Sequence, residues 1–323
     1  MNLQDIIVVA AKLAGVFGLV LGLAAVLSRA ERKVSARRQR RNGAPPLRFR
    51  RAPALSAAFA LLACAVIPFS FPLSIGNSES SMAIAGINIG LLFTLAMLGL
   101  GVYGILLGGL ASQKNGEFLG GIRSSAQAVS YGLTLVLSAL TVLVLTGSMN
   151  MTEIFLAQIP EQFSFKSFFT EGWLLFRLPA GPIAFLLFLV AAFAVTNKLP
   201  FELRQDESEL AWGSHSQDSS MKFALFFVAE YLATVTMACL LALFFLGGPS
   251  LFGLLQGIDS SWLRGLLGFA VFLAKVGLFL FFLIWARWTL RRFRWEQLMQ
   301  FGWKLLLPIA ILNMVVAGAA VAF

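Results

Sequence analysis

Runs of about 20 apolar residues, the length an α-helix needs to cross roughly 30 Å of hydrocarbon, recur along the whole chain. Eight are read, at about 6–27, 53–73, 84–109, 126–147, 176–196, 222–247, 263–286 and 303–322. A backbone in lipid has no water to satisfy its polar groups, so apolar runs of this length fold as helices. The expected fold class is therefore all-α, a polytopic membrane protein of about eight transmembrane helices, with residues 1–323 forming a single membrane domain. Composition matters mainly for what it excludes. At 59% hydrophobic and 12% charged residues, with a mean hydropathy of +0.83, the chain has no stretch for a sizeable soluble domain. The first run lacks a basic leader and a small-residue cleavage site, and is read as a retained helix.

The formal net charge of +10 is not spread as a nucleic-acid-binding surface would require. Ten Lys/Arg lie between Arg29 and Arg51, and four Arg lie between Arg287 and Arg294, in both cases beside a predicted span. Excess Lys/Arg marks the cytoplasmic side, which puts the loops after helices 1, 3, 5 and 7 inside and both termini outside. Lipid anchoring alone accounts for such a basic stripe as well as partner binding does. Arg287, Arg291 and Arg294 share one helical face by spacing, ready for the acidic loop or a partner subunit, although inside anchoring explains them equally. The outer loop 148–175 contains EIFLAQIPEQFSFKSFF, which reads as a short helix lying on the membrane surface.

Acids are few and unevenly placed. Of 15 Asp and Glu, five (Glu202, Asp206, Glu207, Glu209 and Asp218) fall in the loop after Pro200, where Pro is expected to end helix 5. Their mutual repulsion raises the pKa of at least one and couples their titration, unless the loop is simply solvated. Glu230 follows inside helix 6, at a depth where a charge costs on the order of 2.5–3.5 kcal/mol and normally faces a bundle interior or a water path. Such a carboxylate is a candidate for taking up and releasing a proton. The competing reading is static pairing with Lys275, a second intramembrane charge in helix 7; sequence does not separate the two. Cys64 and Cys239 have no metal or cluster spacing and are read as buried, and His215 alone makes no metal site. P-loop, G-x-S-x-G, CxxC and HExxH motifs are all missing from the sequence. The G-x-x-x-G at Gly104 and Gly108 reads as close helix packing.

Several strings, taken in order, resemble one family: ERKV (31–34), INIGLLFTLAMLGLGVYGILLGGLAS (87–112), LGGIRSSAQAVSY (119–131), PFELRQDESEL (200–210), MKFALFFVAEY (221–231) and LRRFRWEQLMQFGWKLLLP (290–308). They are similar to the H-type membrane subunit of respiratory complex I, called subunit 1 in mitochondria, and to its relatives in membrane-bound hydrogenases. The resemblance implies a membrane subunit of an NADH-quinone oxidoreductase that docks the peripheral electron-transfer arm. It would form part of the quinone site and couple quinone reduction to proton translocation, with no complete active site of its own. Quinone is then a substrate. FMN and iron–sulfur clusters belong to partner subunits, no group is covalently held here, and no metal site or nucleic-acid partner is expected.

On matched positions the resemblance assigns Arg123 and Ser124, in a loop near the quinone path, together with Phe201 and Glu202, to quinone binding. Glu207, Glu209 and Glu230 are assigned to proton coupling, with Lys275 added from its place in helix 7. Arg32, Arg287, Arg294 and Glu296 are assigned to subunit docking or loop charge. The expected location is the bacterial inner membrane, in contact with lipid and with other membrane and peripheral subunits.

The sequence also departs from the family. After ERKV the chain runs through Asn42-Gly43-Ala44-Pro45 almost directly to helix 2, so most of the usual quinone-entrance element is missing. The family's acid after the Ser-Tyr of helix 4 is Gly132, and the usual Pro-Glu of the acidic loop is Arg204-Gln205. Two other readings share the apolar pattern: the membrane anchor of a hydrogenase-like or ferredoxin-linked complex, and an independent ion transporter working through Glu230 and Lys275.

Overall fold

A computed structural model describes residues 52–75, 78–80, 83–111, 115–159, 172–198, 201, 220–251, 261–289 and 295–322. The predicted span 6–27 and Arg32 lie outside the described residues, as do Glu202, Glu207, Glu209 and Arg294. The described part is a helical bundle. Its helices are α1 (Ala52–Ala65), α2 (Gly90–Ala111), α3 (Asn115–Thr146), α4 (Met151–Leu156), α5 (Ala180–Val195), α6 (Ser220–Phe245), α7 (Ser261–Thr289), α8 (Trp295–Phe301) and α9 (Leu307–Ala322). A π-helical turn, Gly302–Leu306, joins α8 to α9 without a break. Five helical stretches are long and apolar enough to cross a membrane: Gly90–Gly108, Leu119–Thr146, Phe227–Phe245, Leu263–Ala286 and Trp295–Ala322. With the shorter apolar helices Leu55–Ala65 and Ala180–Val195, they cover seven of the eight predicted spans. The last turn of α5 and the start of α8 lie at the end predicted to be cytoplasmic, the inner end of the bundle.

Boundaries differ from the hydropathy reading where local chemistry overrides it. α1 stops at Ala65, not 73, because Pro68 and Pro72 cannot continue a helix. The chain goes on as buried irregular backbone, in which the Ser70 hydroxyl donates to Gly265 O at 2.5 Å. The loop that follows holds a small antiparallel ribbon, β1 (Leu73–Ile75) with β2 (Ser78–Ser80), in the register Leu73 to Ser80. α3 starts at Asn115, some ten residues before the expected 126. Arg123 and Ser124, expected in a loop, therefore lie on a helix.

α4 corrects the surface-helix expectation at its start, while residues 160–171 lie outside the described residues. Asn150 caps it, accepting from Thr152 N at 3.0 Å, and Met151, Ile154 and Phe155 are buried in the core. α6 is the central helix, with every residue from Val235 to Phe245 buried. Its Phe244 and Phe245 pack edge-on against Phe188 of α5 at 5.8 and 5.9 Å, and Phe69 meets Phe272 of α7 at 5.9 Å. Rings in this edge-to-face arrangement add about 0.5–1.5 kcal/mol per pair beyond area burial. Leu92 and Tyr103 of α2 and Leu312 and Val315 of α9 point outward, as apolar side chains of a membrane bundle do.

Candidate functional site

The inner end of the bundle brings three helices together through one turn. α5 closes with a Schellman motif: Asn197 N donates to Ala194 O at 3.3 Å and Lys198 N to Phe193 O at 3.2 Å. Asn197 takes the left-handed conformation the motif needs, at φ +50, and Asn tolerates this better than most residues. The helix thus ends by its own capping, upstream of Pro200. Phe201 N then donates to Lys198 O at 2.8 Å, so Lys198 and Phe201 sit on one compact turn at the start of the acidic loop.

α3 grips this turn from one side. Gln127 is fully buried, and its Nε2 donates both to Ala194 O and to Phe201 O, each at 3.0 Å. One amide therefore spans the end of α5 and the residue that opens the acidic loop. A turn further along α3, the buried ring of Tyr131 meets Phe201 edge-on at 5.6 Å, and its hydroxyl donates to Leu298 O of α8 at 2.8 Å. Ser124 is half-buried and Arg123 exposed, one helical turn before Gln127. α3 thereby links Arg123 and Ser124 to the turn that holds Phe201.

α6 meets the same turn from the other side. Lys198 Nζ lies 3.1 Å from Glu230 Oε1, and also 4.2 Å from the centre of the Tyr231 ring. The two charged side chains keep 13% and 21% of their surface accessible, so the pair is sheltered but not sealed. Thr234 donates to Glu230 O at 2.7 Å, and Phe227 packs on Tyr231 at 5.6 Å. Glu230 stands ten residues into α6, about 15 Å along the helix.

The competing reading, static pairing of Glu230 with Lys275, does not hold; Glu230 pairs with Lys198. Lys275 instead donates to Leu246 O, Gly248 O and Ser250 O at 2.6, 2.9 and 2.6 Å. These acceptors follow the far end of α6, 16 or more residues beyond Glu230, about 24 Å of helix. The two intramembrane charges therefore belong to separate sites. Glu296 is exposed in the first turn of α8, where a carboxylate complements the helix dipole. Arg287 lies on α7, but its side chain is outside the described residues. Cys64 and Cys239 are buried and unbridged.

Gln127, Tyr131 and Lys198 are the site residues that sequence reasoning passes over. Gln127 has a usable signal, a primary amide set in an otherwise small and apolar stretch entering the membrane. Lys198 does not; in sequence it is a boundary Lys of the kind that ordinarily anchors a helix at the interface.

A family model described as NADH dehydrogenase matches residues 43–318 of the chain. The NADH-quinone oxidoreductase H subunit (H 2) of Koribacter versatilis is 42% identical over 281 residues, covering 84% of this chain and 76% of that protein. The corresponding H subunit (H 2) of Geobacter sulfurreducens is 37% identical over 349 residues, covering 99% and 98%. That of Leptospira biflexa is 40% identical over 266 residues, covering 80% and 70%.

Proposed function

The chain belongs to the NADH dehydrogenase family as an H subunit of NADH-quinone oxidoreductase, a membrane subunit of complex I, and from that premise we propose a division of labour among its residues. Arg123, Ser124, Phe201 and Glu202 form this subunit's share of the quinone site, and Glu230 with Lys198 converts quinone reduction into proton movement. The observation that carries this reading is the Lys198–Glu230 pair at 3.1 Å, mounted on the same turn as Phe201. Electrons arrive from partner subunits that hold FMN and iron–sulfur clusters. This chain supplies shape and charge.

A quinone takes up electrons and protons together on becoming a quinol. Negative charge arriving beside Phe201 attracts a nearby cation, and Lys198 is three residues away on the same turn. While Lys198 stays with Glu230, the carboxylate keeps its counter-ion. When Lys198 is drawn off, the carboxylate takes a proton in its place. Return of the cation expels that proton. Glu207 and Glu209 of the acidic loop are placed by sequence to pass protons to and from Glu230. Sequence groups Lys275 with them; its carbonyl partners at the far end of α6 support a different role. Arg32, Arg287, Arg294 and Glu296 serve docking of the peripheral arm on the inner face of a bacterial inner membrane, both termini being outside.

Isolation in mild detergent tests the assembly directly: iron–sulfur subunits and NADH-quinone activity should co-purify. A stable lone subunit that moves ions in liposomes would reject it. For the quinone site, Arg123→Ala should raise the KM for quinone by about tenfold, the loss of one charge-assisted contact of roughly 1.4 kcal/mol. Unchanged quinone kinetics would remove Arg123 from the site.

A further inference from the structure

α7 is 29 residues long, and Lys275 is its fifteenth, so the ammonium leaves the midpoint of a helix long enough to cross the membrane. At that depth it meets the end of α6, where the backbone abandons helical form. Buried irregular backbone must find its hydrogen-bond partners inside the protein.

The way this turn is built is specific. Leu246 N and Gly248 N both close onto Ala242 O, at 3.2 and 3.0 Å, while Gly247 and Gly248 take φ +67 and +55. Two successive left-handed residues bend the chain so that the carbonyls of Leu246, Gly248 and Ser250 converge on one point. A side chain is excluded at Gly247, where a Cβ would come within 2.7 Å of Ser250 Oγ and 3.0 Å of the Trp173 ring. Ser250 Oγ donates to Gly247 O at 2.8 Å and ties the turn to itself. The Lys275 ammonium occupies the point of convergence, and the Trp173 ring closes a further side with its centre 4.5 Å from Nζ. All three N–H donors of the ammonium are thereby used. Among the described residues no carboxylate lies within ion-pair distance of it.

We propose that the Leu246–Ser250 turn and Trp173 form a monovalent-cation site, and that Lys275 is its tethered occupant. Converging backbone carbonyls, the negative end of a helix dipole and an aromatic face are general devices for holding potassium, sodium or ammonium ions in a membrane protein. Here all three meet at one atom. The three accepting carbonyls match the three N–H donors of an ammonium, and their distance from Glu230 separates Lys275 from the proton route proposed at the inner end.

The test empties the cage and offers it a free ion. Lys275→Ala removes the occupant and leaves the walls, whereas Lys275→Met refills the space with apolar atoms. In the purified complex, the Ala variant should melt below wild type in choline chloride and gain several degrees in ammonium or potassium chloride of equal ionic strength. Wild type and the Met variant should show no such ion-specific gain, and the Met variant should also melt low. An Ala variant that responds identically to choline and ammonium overturns the proposal, as does a Met variant as stable as wild type. Should neither variant assemble, reductive methylation of the folded wild-type complex decides: Lys275 is expected to stay unmodified until the protein is unfolded. Dimethylation in the folded state would show an ammonium that leaves its cage, and would reject a fixed occupant.

Discussion

The two lysines tied to α6 sit against aromatic rings at similar range, Lys198 at 4.2 Å from Tyr231 and Lys275 at 4.5 Å from Trp173, yet their partners differ in kind. Lys198 faces a carboxylate, 3.1 Å away, and both members of that pair keep part of their surface accessible. Lys275 faces three carbonyl oxygens and is 8% exposed. A carboxylate that loses its cation has an alternative, since it can take a proton. Buried carbonyls have none. On the proposed reading, then, the Lys198–Glu230 pair comes apart while the carbonyl cage stays closed.

Breaking each cation in turn should expose that difference. Lys275→Met leaves three acceptors, two of them buried, without this donor, at roughly 1–3 kcal/mol each before relaxation, so the expected loss of stability is about 3–5 kcal/mol. Lys198→Met should cost only about 1 kcal/mol, because the pair is partly accessible and, on the proposed reading, Glu230 answers by protonation. Thermal unfolding of the two purified variants reads the gap, and equal losses would erase the distinction between a switchable pair and a fixed cage.

Function should invert the order. Glu230→Gln keeps the shape and removes the titrating group, so coupled proton movement in vesicles should fall by about tenfold or more, with subunit assembly intact. Equal pumping per turnover in wild type and variant would reject the proton role. A double-mutant cycle sharpens the same point: Lys198→Met with Glu230→Gln should couple by about 0.5–3 kcal/mol, whereas Lys275→Met with Glu230→Gln should add within about 0.5 kcal/mol.

Much of this division is hidden in the sequence for a physical reason. Apolar length locates the membrane helices well, because lipid imposes it on every span. The helix ends are less legible, since they depend on caps: Pro68 cuts α1 short, and Asn197 closes α5 before Pro200 is reached. Glu230 and Lys275 stand out as intramembrane charges, but charge sign alone suggests that they pair. Which cation reaches an acid is set by tertiary geometry, here by the turn that Gln127 fixes. The carbonyl cage leaves no compositional trace at all beyond two adjacent glycines, which also fit an ordinary loop.

Glycines at the two ends give the mildest probe of the comparison. At Gly247 the backbone is left-handed and the space is filled, so Gly247→Ala incurs conformational strain of about 1–2 kcal/mol as well as a clash with Ser250 and Trp173. Gly132 lies midway along α3, beside Tyr131 of the inner site, and a Cβ there would meet nothing within 4 Å among the described residues. Gly132→Ala should therefore stabilise the helix by about 0.5–1 kcal/mol, the ordinary gain from replacing an interior helical glycine. The family resemblance implies an acid at that position, and among the described residues no atom fills the space a Cβ would take. A stabilising Ala at 132 and a destabilising Ala at 247, read from the same melting curves, would confirm that the inner end tolerates change where the outer cage does not. A destabilising Ala at 132 would mean that the inner end is as tightly determined as the cage, and that Lys198 and Glu230 are less free to part than their geometry implies.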